Sequence, residues 1–257
     1  MMQPMPRAVI GLARMTLLEA RRTAVGKAVI AAIALALGLA LFMNRIVLTE
    51  QTRATVVTYA VIVRLSVVLL IAQAIIANTV RDLHERVVEH FLALPCTRMQ
   101  YAVGKWFGWA AVAAVCGVAA GLPLLGFLGT PGRLAWTLSF TAETVVVASL
   151  ALLLALALRR VITAMLAFCC LYLFARISHL LILLSSNVGT SEGSLLERLD
   201  ARYIELAGHL LPRMDRFADT AWLTGGGVHL GPGLLQGVIY LALLGAVASI
   251  ELRRKQF

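Results

Sequence analysis

Residues 78–105, NTVRDLHERVVEHFLALPCTRMQYAVGK, form a charged island between two apolar runs, 55–78 and 106–129. At helical spacing Val80, Leu83, Val87, Phe91 and Leu94 fall on one stripe, while Arg81, Asp82, Glu85, Arg86 and Glu89 lie largely on other faces. The pattern predicts a short amphipathic helix that stops at Pro95. Proline has no amide hydrogen to continue the ladder and disfavours helical geometry in the residue before it, which places the break at Leu94–Pro95. From there the chain is expected to turn back through residues 96–100 and enter the next apolar run near Lys105.

Working outward, the composition places this island in a membrane protein. Of 257 residues, 60% are hydrophobic and 14% charged, and the mean hydropathy is +0.87, values far from those of a soluble domain. A spanning helix needs roughly 20 mostly apolar residues. Six runs qualify: 28–48, 55–78, 106–129, 134–158, 161–184 and 234–252. The expected fold is therefore all-α and polytopic, with six transmembrane helices. An even number of spans puts both termini on one side.

Basic residues set the orientation. Fourteen of the 23 flank the spans on the side that holds the termini and the 78–105 island, seven lie on the other side, and Arg64 and Arg176 fall within spans. The positive-inside rule then makes both termini and the island cytoplasmic, which suits a bacterial inner membrane. Scattered over several membrane-flanking segments, these charges account for the net +10 without a nucleic-acid footprint.

The amino-terminal segment, 1–27, does not read as a cleavable signal, because five basic residues precede the first apolar run. Arg7, Arg14 and Arg21 share one face, with Ile10, Ala13, Leu17 and Ala20 on another, as expected of an interfacial helix with snorkelling arginines. Within the spans, Arg64, Glu143, Arg176 and His179 stand out, since a charge at mid-membrane costs at least ~2.5 kcal/mol and must face protein or water. Glu143 paired with Arg64 or Arg176 would line a polar path; the same residues would serve equally as a buried pair that fixes packing. In the third span, Gly104 with Gly108 and Gly117 with Gly121 permit close helix approach, and Pro123 permits a kink. Residues 185–233 form the one large outer segment. A capping box at Ser194–Glu197 opens one expected helix, a second covers Met214–Leu223, and both are expected to fold against the outer membrane face.

The run Arg81, Asp82, Glu85, Glu89, Leu94, Pro95 and Arg98, followed by Gly104 and Lys105, resembles the loop between the second and third spans of ABC-2 type permeases, the membrane subunits of a class of ABC exporters. Where that family often has glycine after the acidic pair, this chain has Arg86. The resemblance implies a single ABC-2 transmembrane domain over 1–257. Its parts would be an elbow helix at 1–27, a coupling loop at 79–104 and an outer segment at 185–233 that dips back as a gate. It also implies that Arg81, Asp82, Glu85, Arg86, Val87, Glu89, Phe91, Leu94 and Pro95 meet an ATPase subunit. No GxxxxGK[ST] loop occurs in the chain. ATP and Mg would therefore belong to that partner, with no cofactor in this chain and no catalytic activity of its own. The implied assembly has a second permease copy, most simply a homodimer, surrounded by membrane lipids.

Two other classes compete. An intramembrane hydrolase could use Glu143 with His179, but no second intramembrane histidine or Glu-Glu pair supplies a metal site, and the five histidines have no metal-ligand spacing. A secondary transporter would show paired broken helices in related halves, which are not found. The four cysteines read as small core residues rather than a disulfide framework. Basic residues at depth suit an anionic or amphipathic cargo.

Overall fold

A computed structural model describes residues 5–46, 51–85, 98–127, 131–188, 214, 217–224, 227–228 and 230–254. All regular structure among them is helical: α1 (Met5–Arg22), α2 (Val25–Ile46), α3 (Gln51–His84), α4 (Arg98–Phe127), α5 (Pro131–Leu158), α6 (Val161–Val188), a 3-10 turn at Thr220–Thr224, and α7 (Leu230–Arg254). Five helices, α2, α3, α4, α5 and α7, are long and apolar enough to cross a membrane, and α6 contributes a further apolar stretch over Val161–Ile177. By these helices the chain is a polytopic membrane protein.

Local chemistry explains the joints. Pro131 opens α5, where its missing amide hydrogen has no partner to lose. Arg159 ends α5 in the left-handed region, with φ of 52°, and Arg160 leads directly into α6. Between α1 and α2 only Thr23 and Ala24 intervene; the Thr23 hydroxyl donates to the Ala20 carbonyl at 2.8 Å and closes the end of α1.

Helix α5 is the hub, packing on α3, α4, α6 and α7. In lipid there is little hydrophobic gain from bringing helices together, so close approach and hydrogen bonds decide the partners. The α4–α5 seam has both. A Cβ on Gly117 would lie 2.8 Å from Thr144 Oγ1 and 2.9 Å from Thr141 Cα, so only glycine allows the approach. At that point the Thr144 hydroxyl donates to the Ala113 carbonyl at 3.0 Å, and one turn further Gly121 rests against the Thr137 side chain. Trp106 Nε1 adds a bond to Ser149 Oγ at 2.7 Å. Gly108, Gly117 and Gly121 of this span thus act in close packing.

Two expectations need correction. Residues 80–84 do not begin a separate amphipathic helix: they are the last turn of α3, and Val80 is buried in the bundle. At 34 residues α3 is about 51 Å long, against a hydrocarbon core of about 30 Å, so its polar end has length to stand clear of lipid. The following helix already begins at Arg98 rather than after a turn running to residue 100. Second, Met214, Phe217, Ala218 and Trp222 are buried within the bundle and not laid on an outer surface, and the regular structure there is a 3-10 turn rather than a helix over Met214–Leu223. The expected helix that starts at Ser194 lies outside the described residues.

Helix α1 also joins the bundle. It packs on α4, with Thr16 and Ala20 buried, and a Cβ on Gly108 would lie 2.5 Å from Thr16 Cβ. Ile10 and Leu17, on the same apolar face as Ala20, are 53% and 39% exposed.

Candidate functional site

Arg64 stands thirteen residues into α3, about 20 Å from its start, and its side chain is almost fully buried. A guanidinium at that depth needs fixed acceptors, and it has them on two sides. Toward α5, Nε donates to Glu143 Oε1 at 3.1 Å, and Nη2 lies 2.5 Å from Oε2, so the two charges form a buried ion pair held by one hydrogen bond. Toward the segment before α7, Nη1 donates to the Ala218 carbonyl at 2.9 Å, and Nη2 donates to those of Phe217 at 2.5 Å and Met214 at 3.3 Å.

Glu143 is fully buried and is shared: the Tyr172 hydroxyl on α6 donates to Oε1 at 2.9 Å. One turn beyond Tyr172, Arg176 does not compete for Glu143. Its Nη1 donates to the Met214 carbonyl at 2.6 Å and to that of Phe217 at 3.4 Å. Of the two arginines the sequence allowed as the partner of Glu143, the structure selects Arg64. The carbonyls at 214 and 217 are the second point of convergence.

Ala218 closes the arrangement. Its φ of 45° is a left-handed conformation that costs a non-glycine residue roughly 1 kcal/mol. The conformation is held from both sides, by its amide donating to Ser139 Oγ at 3.0 Å and by its carbonyl accepting from Arg64. His179 lies on α6, but its side chain is outside the described residues.

A second charged cluster occupies the opposite end of the bundle, where α3 finishes and α4 begins. Asp82 is buried and forms an ion pair with Lys105, itself buried, so the two helices are tied across the connection that joins them. Arg81 reaches Asn78 Oδ1 at 3.1 Å and Glu19 of α1 at 3.3 Å. The latter pair is exposed and contributes little stability, but it sets α1 beside α3. Glu85 caps the described part of α3 through its amide to the Arg81 carbonyl, and its side chain is exposed. Arg86, Val87, Glu89, Phe91, Leu94 and Pro95 lie outside the described residues.

Of the charges expected to form a polar docking rim, Asp82 is consumed within the chain and Arg81 is partly engaged there. Sequence reasoning missed Lys105 and Glu19 as their partners, and Tyr172 and Ser139 in the deep cluster. Tyr172 had one available signal, its spacing of four from Arg176 on a single helix face. No protein-family model matches this chain, and no curated protein is significantly similar to it.

Proposed function

We propose that the chain is the membrane-spanning permease subunit of an ABC exporter, an ABC-2 type domain with six spans and both termini in the cytoplasm, working with separate ATPase subunits. The observation that carries the reading is the tying of three elements where the chain enters and leaves residues 86–97. Asp82 binds α3 to Lys105 of α4, and Arg81 binds α3 to Glu19 of α1. A push on the loop would be delivered to both long helices through a buried ion pair rather than absorbed by a hinge. Helix α3 carries Arg64, so the same push would act on the Arg64–Glu143 cluster about 26 Å away along its axis, from Arg81 to Arg64. Force from a partner and access to a polar centre would then be two ends of one rod.

The loop residues Glu85, Arg86, Val87, Glu89, Phe91, Leu94 and Pro95 supply the docking surface in this reading, with the charges setting registry and the apolar stripe providing the contact. ATP-driven closure of the ATPases would tilt α3 and α4 and open the path beside Arg64, Glu143, Arg176 and His179. A second permease copy would complete the pathway, most simply as a homodimer. Replacing Glu85 and Glu89 by Lys tests this: ATPase capture and transport fall while the chain stays in the membrane. Unchanged capture and transport would remove the loop from the mechanism.

A further inference from the structure

A cavity of about 630 Å³ lies between the end of α3 and the joint of α5 with α6. Arg81 and His84 line it from one side and Arg159, Arg160, Val161 and Ile162 from the other; none of its described lining residues is acidic. The cavity brings together the ends of three apolar segments. The span of α3 closes at His84, that of α5 at Leu158, and the apolar stretch of α6 opens at Val161. Such shared ends mark the border between lipid hydrocarbon and headgroups.

The joint of α5 with α6 consists of Arg159 and Arg160 alone. Arg159 holds a φ of 52°, which glycine would adopt freely and which costs another residue roughly 1 kcal/mol. Turn geometry therefore does not call for a pair of arginines. Arg160 brings an exposed guanidinium to the cavity, and Arg159 sets the turn that presents it. Across from them Arg81 meets Asn78 and Glu19, but the Glu19 pair is exposed and can exchange for another anion at little cost. The His84 ring is fixed by Nδ1, which donates to the Val80 carbonyl at 2.8 Å. Beside these groups Ile162 and Leu166 of α6 are 77% and 62% exposed. A basic recess at headgroup depth, flanked by apolar surface, fits a lipid whose head carries a net negative charge. We propose that the cavity seats the head of an anionic phospholipid, with the phosphate between Arg160 and Arg81 and the acyl chains along Ile162 and Leu166. The seat stands apart from the exporter reading, since it needs no partner protein.

The test uses the purified full chain in non-ionic detergent, titrated with phosphatidylglycerol or with phosphatidylcholine of equal chain length and read by native mass spectrometry. Phosphatidylglycerol is expected to bind saturably. Phosphatidylcholine, whose quaternary ammonium cancels the phosphate charge, is expected to bind much more weakly. Arg160→Gln should weaken phosphatidylglycerol binding by about fivefold, the scale of one basic residue at a membrane surface. Arg160→Lys, which keeps the charge, should retain most of it, and because Arg160 is exposed neither change threatens the fold. Arg22→Gln removes an equally exposed charge outside the cavity and should leave binding unchanged. Equal retention of both lipids, or no loss in Arg160→Gln, would overturn the seat. The same loss in Arg22→Gln would overturn it too, by assigning the binding to general surface charge. Displacement by an equal concentration of inorganic phosphate would overturn the lipid and leave a site for a free oxyanion only. Because no ATPase is present, failure here leaves the exporter reading standing, and a chain that binds the lipid yet captures no ATPase loses the exporter reading alone.

Discussion

Neutralising one member of the Arg64–Glu143 pair should cost far more than neutralising both. In Glu143→Gln the guanidinium keeps its three carbonyl acceptors but loses its paired carboxylate charge in a buried site. In Arg64→Gln the carboxylate stays fully buried with the Tyr172 hydroxyl as its remaining described contact. Breaking a buried pair in this way costs about 3–5 kcal/mol, because the charge left behind is uncompensated. The double variant removes both charges and lets two amides face each other, so it should be less destabilised than the sum of the singles by a few kcal/mol. Tyr172→Phe, which removes one hydrogen bond to a charged group, should cost about 1.5–3 kcal/mol. Denaturant titration of the purified chain in mixed micelles, read by helical circular dichroism, measures all four. Additive single-variant losses would refute the pair as a coupled unit and with it the cluster's role in holding α3, α5 and the Met214–Ala218 segment together.

Other expectations follow from the packing. Asp82→Lys should destabilise the end of the bundle and Asp82→Lys with Lys105→Asp should recover much of the loss, checked by the same titration; Glu19→Gln, at an exposed pair, should change stability by less than about 1 kcal/mol. Gly121→Leu should force α4 and α5 apart at Thr137 and cost at least about 1–3 kcal/mol, visible as reduced folded yield in the membrane, whereas Gly126→Leu on the same helix, where a Cβ meets open space, should be tolerated.

Much of this architecture was legible in the sequence because lipid imposes simple rules. Apolar runs of sufficient length located the helices, and the cost of charge at depth singled out Arg64, Glu143 and Arg176. Three things were hidden. The end of α3 was misread because a helix that leaves the membrane keeps its apolar stripe at Val80 and Leu83, so a continuing span and a fresh amphipathic helix share one pattern. The partner of Asp82 was missed because Lys105 lies far along the chain, and only the pairing of α3 with α4 brings the two together. The burial of Met214, Phe217 and Trp222 could not be read from their apolar character, which suits an outer surface helix as well as a buried turn. What decides it is the demand of two guanidiniums for carbonyl oxygens, and that demand exists only once α3 and α6 are side by side.

The most direct test of the account places a photoreactive side chain at Val87 and crosslinks in intact cells. The account predicts a single adduct between this chain and a protein that hydrolyses ATP, lost when Glu85 and Glu89 are replaced by Lys. Crosslinking to lipid or to this chain alone, with no nucleotide-hydrolysing partner, would contradict it.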